Sequence, residues 1–290
     1  MESLTSLSPD QRDAVLALVA SAEAADGTAP LNEEARLQLT RSEATHWLAT
    51  AADGVLVGYA QWHPDNATGQ LVVHPDHRRA GHGTTLLTSL LADVAEPAVW
   101  AFGDLHGAQR FAAARDLVPA RGLHIMERAL EPTTPRSAPE GITLRPFTDA
   151  DADGFLAVNA AAFADHPEQG HFSATDLANR QAEAWWDPAG LILATDAEGV
   201  VGFHWTKRHD ATTGEVYVLG VHPRAAGLGL GGVLLDAGLA HLADGGASRV
   251  ILYVDAGNKK AVSLYERSGF RIAHSDTLYR PSTSHDHSPA

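Results

Sequence analysis

Two stretches of this chain repeat one another 148 positions apart, and that duplication limits the possible folds more than any other feature. VHPDHRRAGHGTTLL (73–87) aligns with VHPRAAGLGLGGVLL (221–235), setting Val73, His74, Pro75, Gly81 and Gly83 against Val221, His222, Pro223, Gly229 and Gly231. Leu86-Leu87 then fall on Leu234-Leu235. Upstream, VLVGYAQW (55–62) parallels VVGFHWTK (200–207). Downstream, PAVWAFGDLHGAQRFAAARDLV parallels RVILYVDAGNKKAVSLYERSGF. A period this long is not that of a solenoid and implies a duplicated domain. EPTTPRSAPE (131–140), rich in Pro, Thr and Ser, reads as the linker. The expected organisation is an N-terminal domain over 1–132, a linker over 133–140, a C-terminal domain over 141–281 and a disordered tail over 282–290.

Each copy reads as helix, helix, strands, a strand ending in a glycine turn, helix, strand, helix and a final strand. In the second copy helices are expected near 150–163, 174–185, 232–243 and 259–268, and strands near 191–194, 200–206, 215–221 and 249–254. This is an α/β pattern with mixed strand connections, an α+β mixed sheet in each copy.

Charge narrows the partners. With 21 basic and 36 acidic residues the net charge is −15, which argues against a nucleic-acid or anionic-membrane binder. The longest apolar run, AVLALVA (14–20), falls far short of the roughly 20 residues a membrane span needs. It follows acidic Glu2 and Asp10 rather than the positive charge of an export signal, so a cytoplasmic monomer is expected. The absence of cysteine excludes disulfides, thiolate metal sites and a covalent cysteine intermediate. Sixteen histidines form no H-E-x-x-H pattern, and His285 and His287 sit in the tail, so no metal site is expected. Arginine outnumbers lysine heavily, only Lys207, Lys259 and Lys260 being present, as in the coding bias of GC-rich bacteria.

The glycine turn suggests chemistry. A strand feeding a glycine turn and a helix leaves the first helical amides unpaired at the positive end of the helix dipole. Such a turn cradles a phosphate without a basic cluster. By itself it also fits an ordinary helix start. A Walker loop is not formed, since neither turn supplies GK[ST]; a dinucleotide fingerprint fails because Leu234 follows Gly231 by three and the turn comes late in its domain.

V-x-P-x-x-R-x-x-G-x-G in the first copy (Val73, Pro75, Arg78, Gly81, Gly83) and N-x-x-A-x-x-x-Y-x-x-x-G-F in the second (Asn258, Ala261, Tyr265, Gly269, Phe270) resemble the GCN5-related N-acetyltransferase pattern. That resemblance implies an acetyl-CoA site in which two parallel strands splay apart to admit the pantetheine arm. It implies that Leu219, Gly220 and Val221 line the arm, and that Ala226, Gly227, Leu228, Gly229, Leu230, Gly231 and Gly232 cradle the pyrophosphate. Asn258, Lys259, Lys260, Ala261, Val262 and Ser263 would contact the other side. In the first copy the corresponding positions are Leu71, Val72 and Val73, with Arg78, Gly81 and Gly83. The residue expected to be Gln or Arg before the turn is Ala226 when the repeat sets the register. A register slipped by two residues, Arg224-x-x-Gly227-x-Gly229, would restore an arginine.

The tandem arrangement, with HPEQG (166–170), FHWTK (203–207), GEVYVLGV (214–221) and ILYVDAGN (251–258), is similar to the branch of that family acting on the cysteinyl amine of cysteinyl-glucosaminyl-inositol. An amine attacking a thioester must first lose a proton. Glu215 begins the strand leading to the turn, where alternation can point its carboxylate into the cleft as the base; it can equally be a solvated strand-start residue. The resemblance implies that Tyr265 protonates the leaving thiolate, against a plain core role, and that a backbone amide near Val221 polarises the thioester carbonyl. It also implies Glu33, Glu168, Lys207, Glu215 and Tyr253 as substrate contacts, with Glu34 an alternative to Glu33, so that the substrate would lie where the domains meet. Trp185-Trp186 fit either sugar stacking or the core. At the repeat offsets Glu215 faces Ala67 and Tyr265 faces Ala113, so the first copy is expected to be degenerate while still able to bind acetyl-CoA. A tandem acetyltransferase for another amine and an acyl-CoA-binding sensor are the alternatives.

Overall fold

The computed structural model describes residues 1–132, 134–164 and 169–282. The chain forms two compact units, one made of residues 1–123 with the C-terminal segment from His274, the other of residues 124–273.

In the first unit α1 (Pro9–Asp26) starts at a capping box, Ser8 and Gln11 each receiving the other's backbone amide, and stops at Gly27 in the left-handed region. The apolar run read from the sequence lies on it. Val15, Leu18, Val19 and Ala22 form the buried stripe, which packs with Tyr59 and Val72. After α2 (Glu33–Leu37) come three antiparallel strands, β1 (Thr45–Thr50), β2 (Leu56–His63) and β3 (Thr68–Val73). The glycine turn leads into α3 (His82–Asp93), then β4 (Val99–Ala101), α4 (His106–Ala113) and β5 (Leu117–Ala129). Leu86, Leu87 and Leu90 of α3 fill a core with Trp47, Trp62 and Val99.

The second unit takes up the far half of β5 and adds β6 (Thr143–Pro146), α5 (Ala152–Ala162), α6 (Ala174–Gln181), β7 (Leu191–Asp196), β8 (Gly199–Arg208) and β9 (Thr213–Val221). The second glycine turn enters α7 (Leu230–Asp244), followed by β10 (Arg249–Asp255), α8 (Lys259–Arg267) and β11 (Arg271–Pro281). The strand order is β5-β10-β9-β8-β7-β6, parallel at β9–β10 and antiparallel from β9 out to β6. In the first unit the order is β1-β2-β3-β4-β11. The mixed α/β architecture is therefore the one expected, and the elements read from the second copy are all present.

The closing strands differ from a linear reading of the repeat. β5 starts in the first unit and ends in the second, and β11 returns from the second to the first, where Thr277, Leu278 and Tyr279 pair with Ala101, Trp100 and Val99. Periodicity reveals that a strand exists but not which edge it joins, and the division between the compact units falls after residue 123 and again after residue 273. The segment read as linker is also fastened down. Arg136 donates to both Asp236 carboxylate oxygens, at 2.5 and 3.1 Å, and to the Gly232 carbonyl of α7 at 3.1 Å. Thr133 and tail residues 283–290 lie outside the described residues. Among the described residues no helix is long and apolar enough to cross a membrane.

Two fully buried histidines, one in each unit, lack a full set of partners. The His204 ring on β8 donates from Nδ1 to the Leu234 carbonyl of α7 at 2.8 Å, leaving Nε2 buried and unpaired. It sits so close to the helix backbone that a Cβ on Gly238 would come within 2.1 Å of the ring. His46 on β1 donates from Nδ1 to Tyr59 Oη at 2.7 Å, Tyr59 passing its own proton to Gln61, and again Nε2 is unpaired. Burial lowers both rings to about 4. Their folded values lie below the unfolded one near 6.5, so the unfolded chain binds protons first and stability falls as the pH drops from about 6.5 to about 4. At full effect each histidine costs about 3 kcal/mol. The thermal midpoint, followed by circular dichroism, is expected to fall steadily from pH 7 to pH 4.5, and His204→Gln is expected to flatten that slope.

Candidate active site

The site begins where two strands stop pairing. β9 and β10 run in parallel register from Thr213↔Arg249 to Val216↔Leu252 and no further, although β9 continues to Val221 and β10 to Asp255. Beyond Val216 β9 is held from its other side by β8, whose residues 202–205 pair with 221–218. A bulge marks the place: Trp205 pairs with Val218 and Thr206 with Val216, so Tyr217 is the extra residue. Leu219, Gly220 and Val221 thus line the parted edge.

The turn that follows matches its first-unit counterpart position by position. His74 and His222 each accept on Nδ1 the amide two residues on. Arg79 and Gly227 both have positive φ, and Gly81 and Gly229, also left-handed, are the N-caps of α3 and α7. This is the repeat register, with Ala226 in the place of Arg78. The slipped register fails because Arg224 sits one turn earlier and donates to Asp196 at 2.5 and 3.0 Å. α7 starts at Leu230, so Gly231 and Gly232 lie in its first turn rather than ahead of it. Among the described residues the amides of Gly227, Leu228, Gly229, Leu230 and Gly231 have no internal acceptor; Gly232 donates back to the Gly229 carbonyl. Five adjacent free donors at a helix N-terminus fit a pyrophosphate. Across from them, Leu264 of α8 lies 3.6 Å from where a Cβ on Gly231 would sit. Asn258 caps α8, its side chain accepting from the Ala261 amide at 3.1 Å. Lys259 and Lys260 are exposed, and Ala261, Val262 and Ser263 are half-buried along that helix.

Glu215 lies just before the strands part, directly across from Lys207 on β8. It is 6% exposed, and burial raises its carboxyl above the ordinary range, opposed by His209 and Lys207. His209 Nε2 lies 2.6 Å from Glu215 Oε2. The hairpin holds it there: Asp210 Oδ1 accepts from the amides of Thr212 and Thr213 at 2.7 and 2.8 Å, and the His209 amide donates to the Thr213 carbonyl. Lys207 Nζ stands 5.0 Å from the Trp185 ring centre and 5.5 Å from that of Tyr217. Trp185 and Trp186 both pack against Trp205, in the aromatic core. Tyr265 is buried against Phe270, and burial pushes its phenol up to about 12. Tyr253 stands exposed on β10, one residue past the last paired position.

Not every residue singled out by sequence falls in this group. Glu33 is exposed in the first turn of α2 in the first unit, while Glu34 is half-buried and accepts from Gln38 at 2.8 Å. Glu168 lies outside the described residues. Leu71, Val72 and Val73 end β3, whose parallel pairing with β4 is the single pair Gly69↔Val99. Arg78, at the first turn, is taken up by the Asp26 carboxylate at 2.8 and 2.7 Å and by the Val73 carbonyl. No group of three or more metal-binding side chains occurs among the described residues. Sequence reading missed His209 and Asp26, because each reaches its partner through a turn or a distant helix, and missed the bulge at Tyr217. The bulge also shifts the internal alignment. His63 and Lys207 occupy the same ladder position, and their partners are Thr68 and Glu215, so Glu215 answers to Thr68 rather than Ala67. Neither residue is an acid.

The comparisons with known proteins agree with this geometry. The acetyltransferase (GNAT) family model matches residues 14–116 and 158–270. Mycothiol acetyltransferase of Thermomonospora curvata is 46% identical, with 96% of this chain and 96% of that protein covered. Mycothiol acetyltransferase of Streptomyces coelicolor is 44% identical over 98% of this chain and 96% of that protein. Among solved structures, a GCN5-related N-acetyltransferase from Sphaerobacter thermophilus superimposes with a TM-score of 0.73 at 24% identity, covering 96% of this chain and 94% of its own. A tandem GNAT protein from the clavulanic acid biosynthesis pathway gives 0.68 at 18% identity, covering 96% of each chain. These two likenesses are of fold.

The turn's backbone makes a direct stability test. Gly229 has φ +71°, so Gly229→Ala is expected to cost about 1–2 kcal/mol, read from urea unfolding. Gly231 is helical, and a Cβ there would meet Leu264, Val221 and Leu219 only at ordinary contact distance, so Gly231→Ala is expected to be neutral or to stabilise by up to about 1 kcal/mol.

Proposed function

The chain belongs to the acetyltransferase (GNAT) family, and from that premise we propose that it is a mycothiol acetyltransferase, moving the acetyl group of acetyl-CoA to the cysteinyl amine of cysteinyl-glucosaminyl-inositol. The observation that carries the chemistry is a coincidence found in the second unit alone: parted strands, five open amides and a buried carboxylate at the point of parting. The substrate assignment is supported by relatives of that name at 44–46% identity along nearly the whole chain.

In this reading the amides of Gly227–Gly231 hold the pyrophosphate, the free edge at Leu219–Val221 receives the pantetheine amides, and Asn258–Ser263 close the other side. Glu215 takes a proton from the incoming ammonium, its affinity for that proton raised by burial. A backbone amide near Val221 polarises the thioester carbonyl. Tyr265, still protonated across the neutral range, gives its proton to the departing thiolate. Lys207 and Tyr253 flank Glu215 on β8 and β10 and would hold the polyol. Transfer is direct, from a ternary complex. The first unit keeps a like turn but offers neither an acid at Thr68 nor a phenol at Ala113, so catalysis belongs to the second. We place the activity in a cytoplasmic monomer.

Purified protein is expected to acetylate cysteinyl-glucosaminyl-inositol in strong preference to a plain amine. Glu215→Gln is expected to lower kcat by about 10²–10⁴-fold and Tyr265→Phe by about 10²-fold, both retaining acetyl-CoA binding by calorimetry. Equal rates with the plain amine would point to another substrate. Full activity of both variants would remove the assignment of base and acid.

A further inference from the structure

Transfer to an amine that arrives as ammonium leaves one proton over in every turnover. The ammonium loses one proton before attack, the nitrogen loses a second as the amide forms, and the departing sulfur takes up one. The surplus proton must reach water. Glu215, the base in the reading above, is poorly placed to release it, being 6% exposed beneath β8 and the 209–212 turn.

Among the described residues one side chain spans that distance. His209 Nε2 is 2.6 Å from Glu215 Oε2, while the imidazole is 35% exposed and lines a shallow surface cavity with Trp185, Lys207 and Asp210. The other charged groups near it are occupied. Lys207 lies over the Trp185 and Tyr217 rings, Asp210 caps the hairpin, and Arg208 donates to the Gly245 and Ala211 carbonyls. On the β10 side Glu215 faces Ile251, which has no titratable group.

We propose that His209 is the proton exit of this site, a positioning and relay residue that returns Glu215 to its carboxylate form after each turnover. The proposal rests on Glu215 being the base. The substrate ammonium gives a proton to the Glu215 carboxylate, and the carboxyl O–H bond then breaks as the proton passes to the lone pair on His209 Nε2. The resulting imidazolium sheds its Nδ1 proton to water, and proton exchange with water returns the ring to its Nδ1–H tautomer, with Nε2 free again for the next turnover. One proton enters and one leaves, with no change of oxidation state. Imidazole suits the task because it gains and loses a proton near neutral pH.

The test uses the full-length protein with acetyl-CoA and the cysteinyl substrate. His209→Ala is expected to lower kcat at pH 7 at least tenfold, with KM for acetyl-CoA unchanged, and added imidazole is expected to restore most of the rate. His209→Gln keeps a hydrogen-bond donor facing Glu215 and so guards against loss of fold; it is expected to be as slow as the alanine variant. In both, the loss is expected to narrow as the pH is raised, because hydroxide then assumes the exit role. Glu215→Gln is expected to be slow and insensitive to imidazole. A wild-type rate for His209→Gln, or a folded His209→Ala that imidazole does not restore, would overturn the relay while leaving Glu215 as base. A fully active Glu215→Gln would instead remove the base, and the relay with it.

Discussion

The site depends on a pair of parallel strands that pair for four residues and then stop. Unpaired backbone inside a sheet is costly unless something else takes up its hydrogen bonds. Here β9 remains fixed after leaving β10 because β8 holds its other edge as far as Val221. Leu219 and Val221 also anchor it to the core beneath α7. The bulge at Tyr217 changes the strand's twist at the same point. One edge is therefore left open without loosening the strand, and the turn and α7 with their free amides follow directly from it.

The same departure sets the electrostatics. A carboxylate at the closed end of the gap is shielded from water, and burial alone would favour its neutral form. Lys207 across the strand and His209 from the hairpin oppose that tendency and favour the charged carboxylate. The Lys207 ammonium itself lies over the Trp185 and Tyr217 faces. A close ammonium–carboxylate contact would lower the carboxyl's proton affinity further.

Much of this was readable from the residues. The repeat exposed the two glycine turns, and the structure reproduces them down to the left-handed positions and the histidine that receives the amide two residues on. Alternation on β9 marked Glu215, and its burial answers the choice between a solvated and an inward carboxylate. Other features were hidden for physical reasons. A bulge is one extra residue in a β-rich run and leaves no compositional trace, so the internal alignment slipped by one at Thr68. Strand periodicity says nothing about which edge a closing strand joins, and a domain boundary drawn at a Pro-rich segment therefore missed the exchange of β5 and β11. Histidine 209 sat in a polar hairpin, and only the folded turn brings it to the acid.

Ala226 is the sharpest case of a sequence anomaly losing its force in three dimensions. By sequence the second turn lacks the arginine that the first one keeps, which suggests a weaker anion site in the copy proposed to do the chemistry. In the fold Arg78 is bound at both ends of its fork by Asp26, and Arg224 in the second unit is likewise bound by Asp196. Neither guanidinium is free, so the comparison between the turns reduces to their backbones. Those are alike in φ pattern and helix start. The donors common to both turns are peptide amides, which carry no net charge and need no basic patch. A chain with a net charge of −15 can therefore present a phosphate cradle, and the arginine's absence from position 226 removes a group that its counterpart already commits to a carboxylate.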